Sequence, residues 1–405
     1  MLLKIFFLTI FFFSSSIFSN ELKYNCTFDE KFFIEDLRNQ NNLLEIKIKI
    51  NDYRSWIKNG MRIVTDINKN IKNRYKKRYS GIVTAKYSFG ECEFKARIRQ
   101  HGDWKDHIQY ISNENKFSQS LNIRLENGNI LGIVDFILFI PKTRNNSNEI
   151  LTTSILTELG HLAPRTFFIN TNINEHKSSM IFQEKIRKEF LEINQKRESA
   201  LFEGEEQFIW EMGVNKNSED FRKYETVSLS RMINSTWATR NKTNLLISKY
   251  SYSKLQNVYL NYAKNLPNSD IFYSLDIELL SNFSNKLFRK WLRYELLILS
   301  INAQHALRPH NRKFYWNNLY EGFEPIYYDG DTNFIQICDS KGKLLSNYLG
   351  EKDIQYYKSV FKRETYEELI NSINILKNKN KFNSTLEKNA GLEKDDIKQL
   401  YNLIE

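Results

Sequence analysis

Residues Gln304–Phe334 read QHALRPHNRKFYWNNLYEGFEPIYYDGDTNF. The pattern predicts an approach loop and then two short strands, Arg312–Trp316 and Phe323–Tyr328, with Asn-Asn and Glu-Gly supplying the turn between them. A hairpin brings its own ends together, so Asn311 at the entrance should face Asp329 at the exit, with Asp331 two residues on. One carboxamide oxygen and one or two carboxylates make a hard-oxygen site. Such a site suits Mg²⁺ or Mn²⁺ when phosphate supplies further ligands. His305 and His310 are the nearby groups able to accept a proton.

Towards the amino terminus the pattern predicts strands over Gly81–Phe89, Cys92–Arg99, Ser120–Leu125 and Val134–Ile140. Alternation in CEFKARIR puts Phe94, Ala96 and Ile98 on one face and Lys95, Arg97 and Arg99 on the other. That cationic row is either a phosphate-facing surface or a solvated strand face. A helix is expected over Glu149–Gly160, then a strand pair at Phe167–Ile173 and Ser179–Gln183, then a helix opened by Glu184. From Glu205 to about Asn302 the chain reads as mainly helical, with Asp276–Asn302 as one long buried helix. The tail is helical over Ser359–Lys377 and Glu393–Ile404.

Met1 to about Ser19 has one Lys, an apolar run and then small residues, the pattern of a secretory signal peptide. The apolar run is short of the roughly 20 residues that span a bilayer. The expectation is export, to the outside or to the cell envelope, with residues 20–184 as a β-rich lobe and 185–405 as a helical one. With 14 Gly and 5 Pro in 405 residues, neither long linkers nor a glycine-rich nucleotide loop is present. The net charge of +11 is scattered except at Lys69–Arg78. That cluster is a solvated face, or a contact for an anionic membrane surface or an acidic polymer. No nucleic-acid motif accompanies it, and nucleic acid is not expected as a partner. Cys26, Cys92 and Cys338 allow three pairings, of which Cys26–Cys92 is favoured because both lie in the amino-terminal region.

Leu307, Pro309 and Asn311, followed by a hairpin and Asp329-Gly330-Asp331, match the catalytic-loop and metal-loop order of protein kinases. The chain more closely resembles the secreted spore-coat-protein-H (CotH) type of atypical kinase. Asn311…Phe314-Tyr315…Glu324-Pro325-Ile326…Asp329 resembles that family's Asn-aromatic hairpin and its (E)PI-x-x-D strand. Arg97-Ile98-Arg99-Gln100-His101-Gly102-Asp103-Trp104 resembles its R-x-R/K-G-D-W element, and Lys116 to Arg124 the strands that follow. The resemblance implies a two-lobed, protein-kinase-like α+β fold. It implies ATP with Mg²⁺ or Mn²⁺ as cofactors and a protein or glycan acceptor. It makes Arg124 or Lys116 the phosphate-binding cation, beside the phosphate contacts that alternation offers at Arg97 and Arg99, and leaves Glu149 and Glu158 as the carboxylates available to pair with the cation, Glu149 being taken as the candidate. It makes Ser179–Lys185, with Glu184, a hinge against adenine, and Asn311, Asp329 and Asp331 the metal ligands.

One departure splits the functional expectation. The position five before Asn311, where kinases keep the Asp that positions the acceptor hydroxyl, is Ala306. Either His305 serves as the base in a working kinase, or the chain is a pseudokinase-like binding or assembly protein. A metal-dependent hydrolase ranks last, since only His305 and His310 of the six histidines fall near the metal-site stretch.

Overall fold

A computed structural model describes residues 25–28, 35–112, 116–206, 229–265, 275–333 and 351–404. The expected signal peptide and Cys338 lie outside the described residues. The amino-terminal half is built from β1 (Asn25–Phe28), β2 (Leu43–Ile50), β3 (Tyr79–Tyr87), β4 (Gly90–Gln100), β5 (Ile108–Ile111), β6 (Lys116–Gln119), β7 (Leu121–Leu125), β8 (Asp135–Phe139), β9 (Thr166–Ile173) and β10 (His176–Glu184). Helix α1 (Tyr53–Thr65) crosses between β2 and β3, and α2 (Ser147–Glu158) lies between β8 and β9.

These strands do not form the open sheet of a two-lobed, kinase-like fold, and that expectation is corrected here. The sheet order is β1-β4-β3-β2-β9-β10-β8-β7, and β7 pairs back onto β4. Seven strands therefore close into a mixed barrel, with β2 and β9 parallel and the other neighbours antiparallel. The reason lies in β4. It is 11 residues long, enough to take β1 at Cys92 and β7 over Ala96–Gln100 on the edge opposite β3. Closure leaves no open edge on the seven strands of the ring. Cys26 and Cys92, directly opposite in the β1–β4 ladder, are joined at an S–S distance of 2.07 Å.

Inward residues of alternating strands fill the barrel, among them Ile46, Ile48, Val83, Phe94, Ile98, Ile123, Phe136 and Phe182. β8 is buried on both faces. Phe136 and Leu138 point inside, while Ile137 and Phe139 join the second core with α2 and the carboxy-terminal helices. A strand covered on both faces reads as a continuous apolar run, as Asp135–Phe139 (DFILF) does.

The carboxy-terminal half is not purely helical. It carries a four-stranded sheet in the order β12-β11-β13-β14, where β11 is Leu201–Gly204, β12 Ser230–Met232, β13 Lys313–Asn317 and β14 Gly322–Ile326. The expected long helix is two, Ile277–Ser281 and Asn285–Ser300. Asn282 and Phe283 take left-handed φ of 50° and 58° between them, which apolar periodicity does not reveal. Tail helices occupy Glu351–Val360, Arg363–Lys377, Asn380–Ala390 and Lys394–Ile404. Among the described residues no helix is long and apolar enough to cross a membrane.

Candidate functional site

The hairpin forms in the expected place. Lys313 pairs with Ile326 at its base and Asn317 with Gly322 at its tip. Strand β14 is anchored from behind by buried Glu324. Burial pushes the Glu324 carboxyl up, but Lys290 and Lys196 hold it down at about 2. Their ammonium groups lie 2.6 and 2.9 Å from it, and Asn317 Nδ2 donates to it at 2.6 Å.

The approach loop is held as tightly. Tyr259 donates its hydroxyl to the Pro309 carbonyl at 2.6 Å, and Arg312 Nε donates to the Leu307 carbonyl at 2.8 Å. Gly204 lets β11 press against this loop and donates its N–H to Arg312 O at 2.9 Å. A Cβ there would lie 2.0 Å from the Pro309 carbonyl oxygen and 2.5 Å from His310 Cα. Because both obstacles are backbone, Gly204→Ala should destabilise by about 1–3 kcal/mol, the usual cost of overpacking. Thermal unfolding checks this, and an unchanged midpoint would show that the loop is free to yield.

Asn311 and Asp329 do meet, through backbone. Asn311 Nδ2 donates to the carbonyl of Asp329 at 2.9 Å and to that of His305 at 3.1 Å. His305 Nδ1–H donates to the same Asp329 carbonyl at 2.7 Å. This sets the tautomer, leaving the lone pair on Nε2, and burial keeps the imidazole pKa low despite Asp329. With its nitrogen committed, Asn311 has its amide oxygen available to the cleft that it lines. Asp329 and Asp331 both take left-handed backbone, φ 49° and 51°, which Asp tolerates better than most residues.

The Asp329 carboxylate is paired with Arg144, Nη1 to Oδ1 3.0 Å. Burial pushes that carboxyl up, but Arg144 first, then His305 and His107, hold it below the usual range. Arg144 lies with Cζ 4.2 Å from the centroid of the Phe139 ring, against which His101 packs edge-on at 5.0 Å. Gly102, at φ +97°, makes room for His107, since a Cβ there would lie 2.0 Å from the imidazole. The Gln100–Trp104 segment thus builds the support beneath Arg144. Arg144 was not singled out in the sequence, where it is one Arg in a short turn after Pro141.

Glu149 is buried and faces neither a free cation nor the cleft. Its carboxyl accepts from Tyr327 OH at 2.7 Å and Gln183 Nε2 at 2.9 Å. Tyr327 also receives the Gly330 N–H at 3.1 Å, so this contact keys the Asp-Gly-Asp turn to α2. Burial, opposed by Arg144 and reinforced by Asp329, pushes Glu149 up to about 7. The folded chain therefore keeps a proton that the unfolded chain has lost. Stability should fall by roughly 3 kcal/mol as pH rises from about 4.5 to about 7. Glu149→Gln should remove that slope. Melting curves across this range check it, and a wild-type–mutant difference independent of pH would contradict it.

A cleft of about 440 Å³ opens between the barrel rim, the end of β11 and the base of the hairpin. Of the expected residues, Arg99, Glu184 and Asn311 line it. Arg99 makes no hydrogen bond or ion pair within the described residues, and burial, then Arg78, lowers its pKa. Lys185, expected only as the end of a hinge, and Arg187, not anticipated, also line the cleft and share Asp135 at 3.3 and 3.4 Å. Burial, opposed by Asp135, brings Lys185 down to about 8. Lys313 pairs with Glu203 and lies 4.0 Å from the centroid of the Tyr328 ring.

The other expected residues lie elsewhere. Arg97 is exposed and pairs with Glu126 at 2.6 Å, and Arg124, opposite it in the ladder, is also exposed. Lys116 is on β6 and reaches the Glu175 carbonyl at 3.5 Å. Glu184, although its chain segment lines the cleft, turns its carboxylate to Arg165 at 3.1 Å. The N–H groups of Glu184 and Lys185 are taken by the carbonyls of Arg165 and Asp135. Asp331 is exposed and accepts from Asn145 Nδ2 at 2.8 Å.

For a divalent cation, the Asn311 amide oxygen and the second Asp329 oxygen are hard donors with no hydrogen bond or ion pair among the described residues. Asp331 binds Asn145 through one oxygen and keeps its second, exposed to solvent. No cluster of three His, Cys, Asp or Glu suited to a metal occurs among the described residues. Two such donors fit Mg²⁺ or Mn²⁺ that arrives with a phosphate group.

No family model and no curated protein matches the chain. Among solved structures it is similar to a HipA–HipB toxin–antitoxin complex with operator DNA from Shewanella oneidensis. The identity is 10%, covering 88% of this chain and 69% of that one, with a TM-score of 0.29. A likeness that weak carries no argument about this chain.

Proposed function

We propose that the chain is an exported phosphotransferase of the CotH type, binding ATP with a divalent cation in this cleft and passing the γ-phosphoryl group to a protein or glycan hydroxyl. One observation carries the reading. Arg99, which has no hydrogen bond or ion pair among the described residues, and Lys185, which shares Asp135 with Arg187, face across one cleft the Asn311 whose amide is oriented by the Asp329 and His305 carbonyls. A cation without an internal partner suits a polyphosphate.

Arg99 and Lys185 would bind and orient the phosphates. Asn311 and Asp329 would hold the Mg²⁺ or Mn²⁺, which when bound neutralises charge on the transferring phosphoryl group. Bound ATP would supply the γ-phosphoryl group, its bond to the bridging oxygen giving way to one with the acceptor oxygen and ADP leaving. The acceptor proton would go to the Nε2 lone pair of His305, a neutral ring that lies behind Asn311 and does not itself line the cleft, so the acceptor hydroxyl would have to reach past Asn311. Arg144 positions Asp329.

A second reading, a binding or assembly protein without transfer, is favoured by one observation. Ala306 is buried, and Arg144 already neutralises Asp329.

Calorimetric titration with ATP and Mg²⁺ tests the shared part of both readings. Arg99→Ala should weaken binding by about tenfold or more, as loss of a charged hydrogen bond does. Arg97→Ala and Arg124→Ala, off the cleft, should leave it unchanged. Binding insensitive to Arg99, or no ATP binding by the folded wild type, would remove the reading.

A further inference from the structure

The end of α1 and the loop after it carry an unusual surface. Met61 and Val64, neighbours at i,i+3 spacing, are 47% and 40% exposed, Ile67 beyond the helix is 98% exposed, and Trp104 is 40% exposed. These residues belong to one face. Asn70 bridges to Trp104, Ile71 N–H donates to Asp103 O at 2.6 Å, and Lys105 Nζ donates to the Val64 carbonyl at 3.2 Å. Around them residues 58–78 hold eight Lys or Arg and one acid, Asp66.

The loop is rigid. Asp66 accepts from Arg74 at 3.0 Å and from Tyr75 OH at 2.7 Å, and Asn59 Nδ2 donates to the Tyr75 carbonyl at 2.8 Å. Asp103 is spent on Lys76, leaving Asp106 as the exposed acid nearby. The face is thus an apolar tip with an interfacial Trp, ringed by cations and held in shape before any partner arrives.

We infer that this face docks on an anionic lipid bilayer, with Met61, Val64, Ile67 and Trp104 entering the headgroup region and Lys69, Lys72, Lys77 and Arg78 meeting lipid phosphates. Charge selects the partner's sign. The apolar tip selects a lipid surface over a soluble polyanion, which would gain nothing from Ile67. Burial of apolar side chains combined with attraction to anionic headgroups is the general basis of interfacial binding. Asn73, Lys76 and Asp103 also line the cleft, so docking holds the cleft's mouth against the membrane.

Flotation of the full chain with vesicles tests this, using phosphatidylcholine alone and phosphatidylcholine mixed with phosphatidylglycerol. The chain should bind the mixed vesicles only, less as salt rises. Lys69→Gln and Lys77→Gln should each weaken binding about fivefold, and Ile67→Asp roughly tenfold with no change in melting temperature. Absence of binding to the mixed vesicles overturns the inference. So does full-strength binding by Ile67→Asp, which would assign the face to a soluble acidic polymer instead.

Discussion

Glu295→Ala should destabilise the chain by about 3–5 kcal/mol, the cost of leaving a buried charge without its partner. Glu295 lies on the Asn285–Ser300 helix, fully buried, 2.5 Å from Arg312 Nη1, and Arg312 is 3% exposed. Burial pushes the Glu295 carboxyl up and the guanidinium opposes it. Without the carboxylate, the Arg312 guanidinium keeps its charge but loses the counter-charge beside it while staying buried. The effect should reach the site. Arg312 also holds the Leu307 carbonyl and sits next to Asn311, so its release frees the approach loop. Denaturant unfolding measures the loss. Replacing both partners, Glu295→Leu with Arg312→Met, should recover most of it, because it removes the buried charge and not only its partner. A single mutant as stable as the wild type would mean that Arg312 reaches solvent, and the loop would then lack the clamp described above.

How much was legible in the sequence depended on range. The hairpin was, because Arg312–Tyr328 alternates and carries its own turn residues, and pairing then dictated that Asn311 meets residue 329. The barrel was not. Strand positions can be read from alternation, but nothing in Leu121–Leu125 says that it returns to pair with β4, since both edges of a strand look alike in sequence. The resemblance drew those strands into the wrong sheet. The cationic row split for a similar reason. Arg97 and Arg99 share a face, yet Arg97 lies along the barrel wall while Arg99 sits at the rim. Two residues of strand separate a solvated ion pair from the cleft. Arg144, Lys185 and Arg187 left no local signal, because their partners Asp329 and Asp135 are distant in sequence. Glu149 was noticed for its place on α2, but its partners, Tyr327 and Gln183, were not foreseeable.

The pairing of Arg144 with Asp329 is where the proposed chemistry and the binding-only reading part. In the first, the second Asp329 oxygen and Asn311 take up the cation brought by the nucleotide, and Arg144 remains as a positioning group. In the second, the ion pair is permanent. The measurement that separates them is transfer of label from γ-labelled ATP, with Mg²⁺ or Mn²⁺, onto the chain itself or a generic acceptor, beside Asp329→Ala. Metal-dependent labelling by the wild type, reduced at least about a hundredfold in Asp329→Ala as expected when a group acting on the transition state is removed, is the predicted result. Labelling that survives unchanged in Asp329→Ala would contradict the site outright.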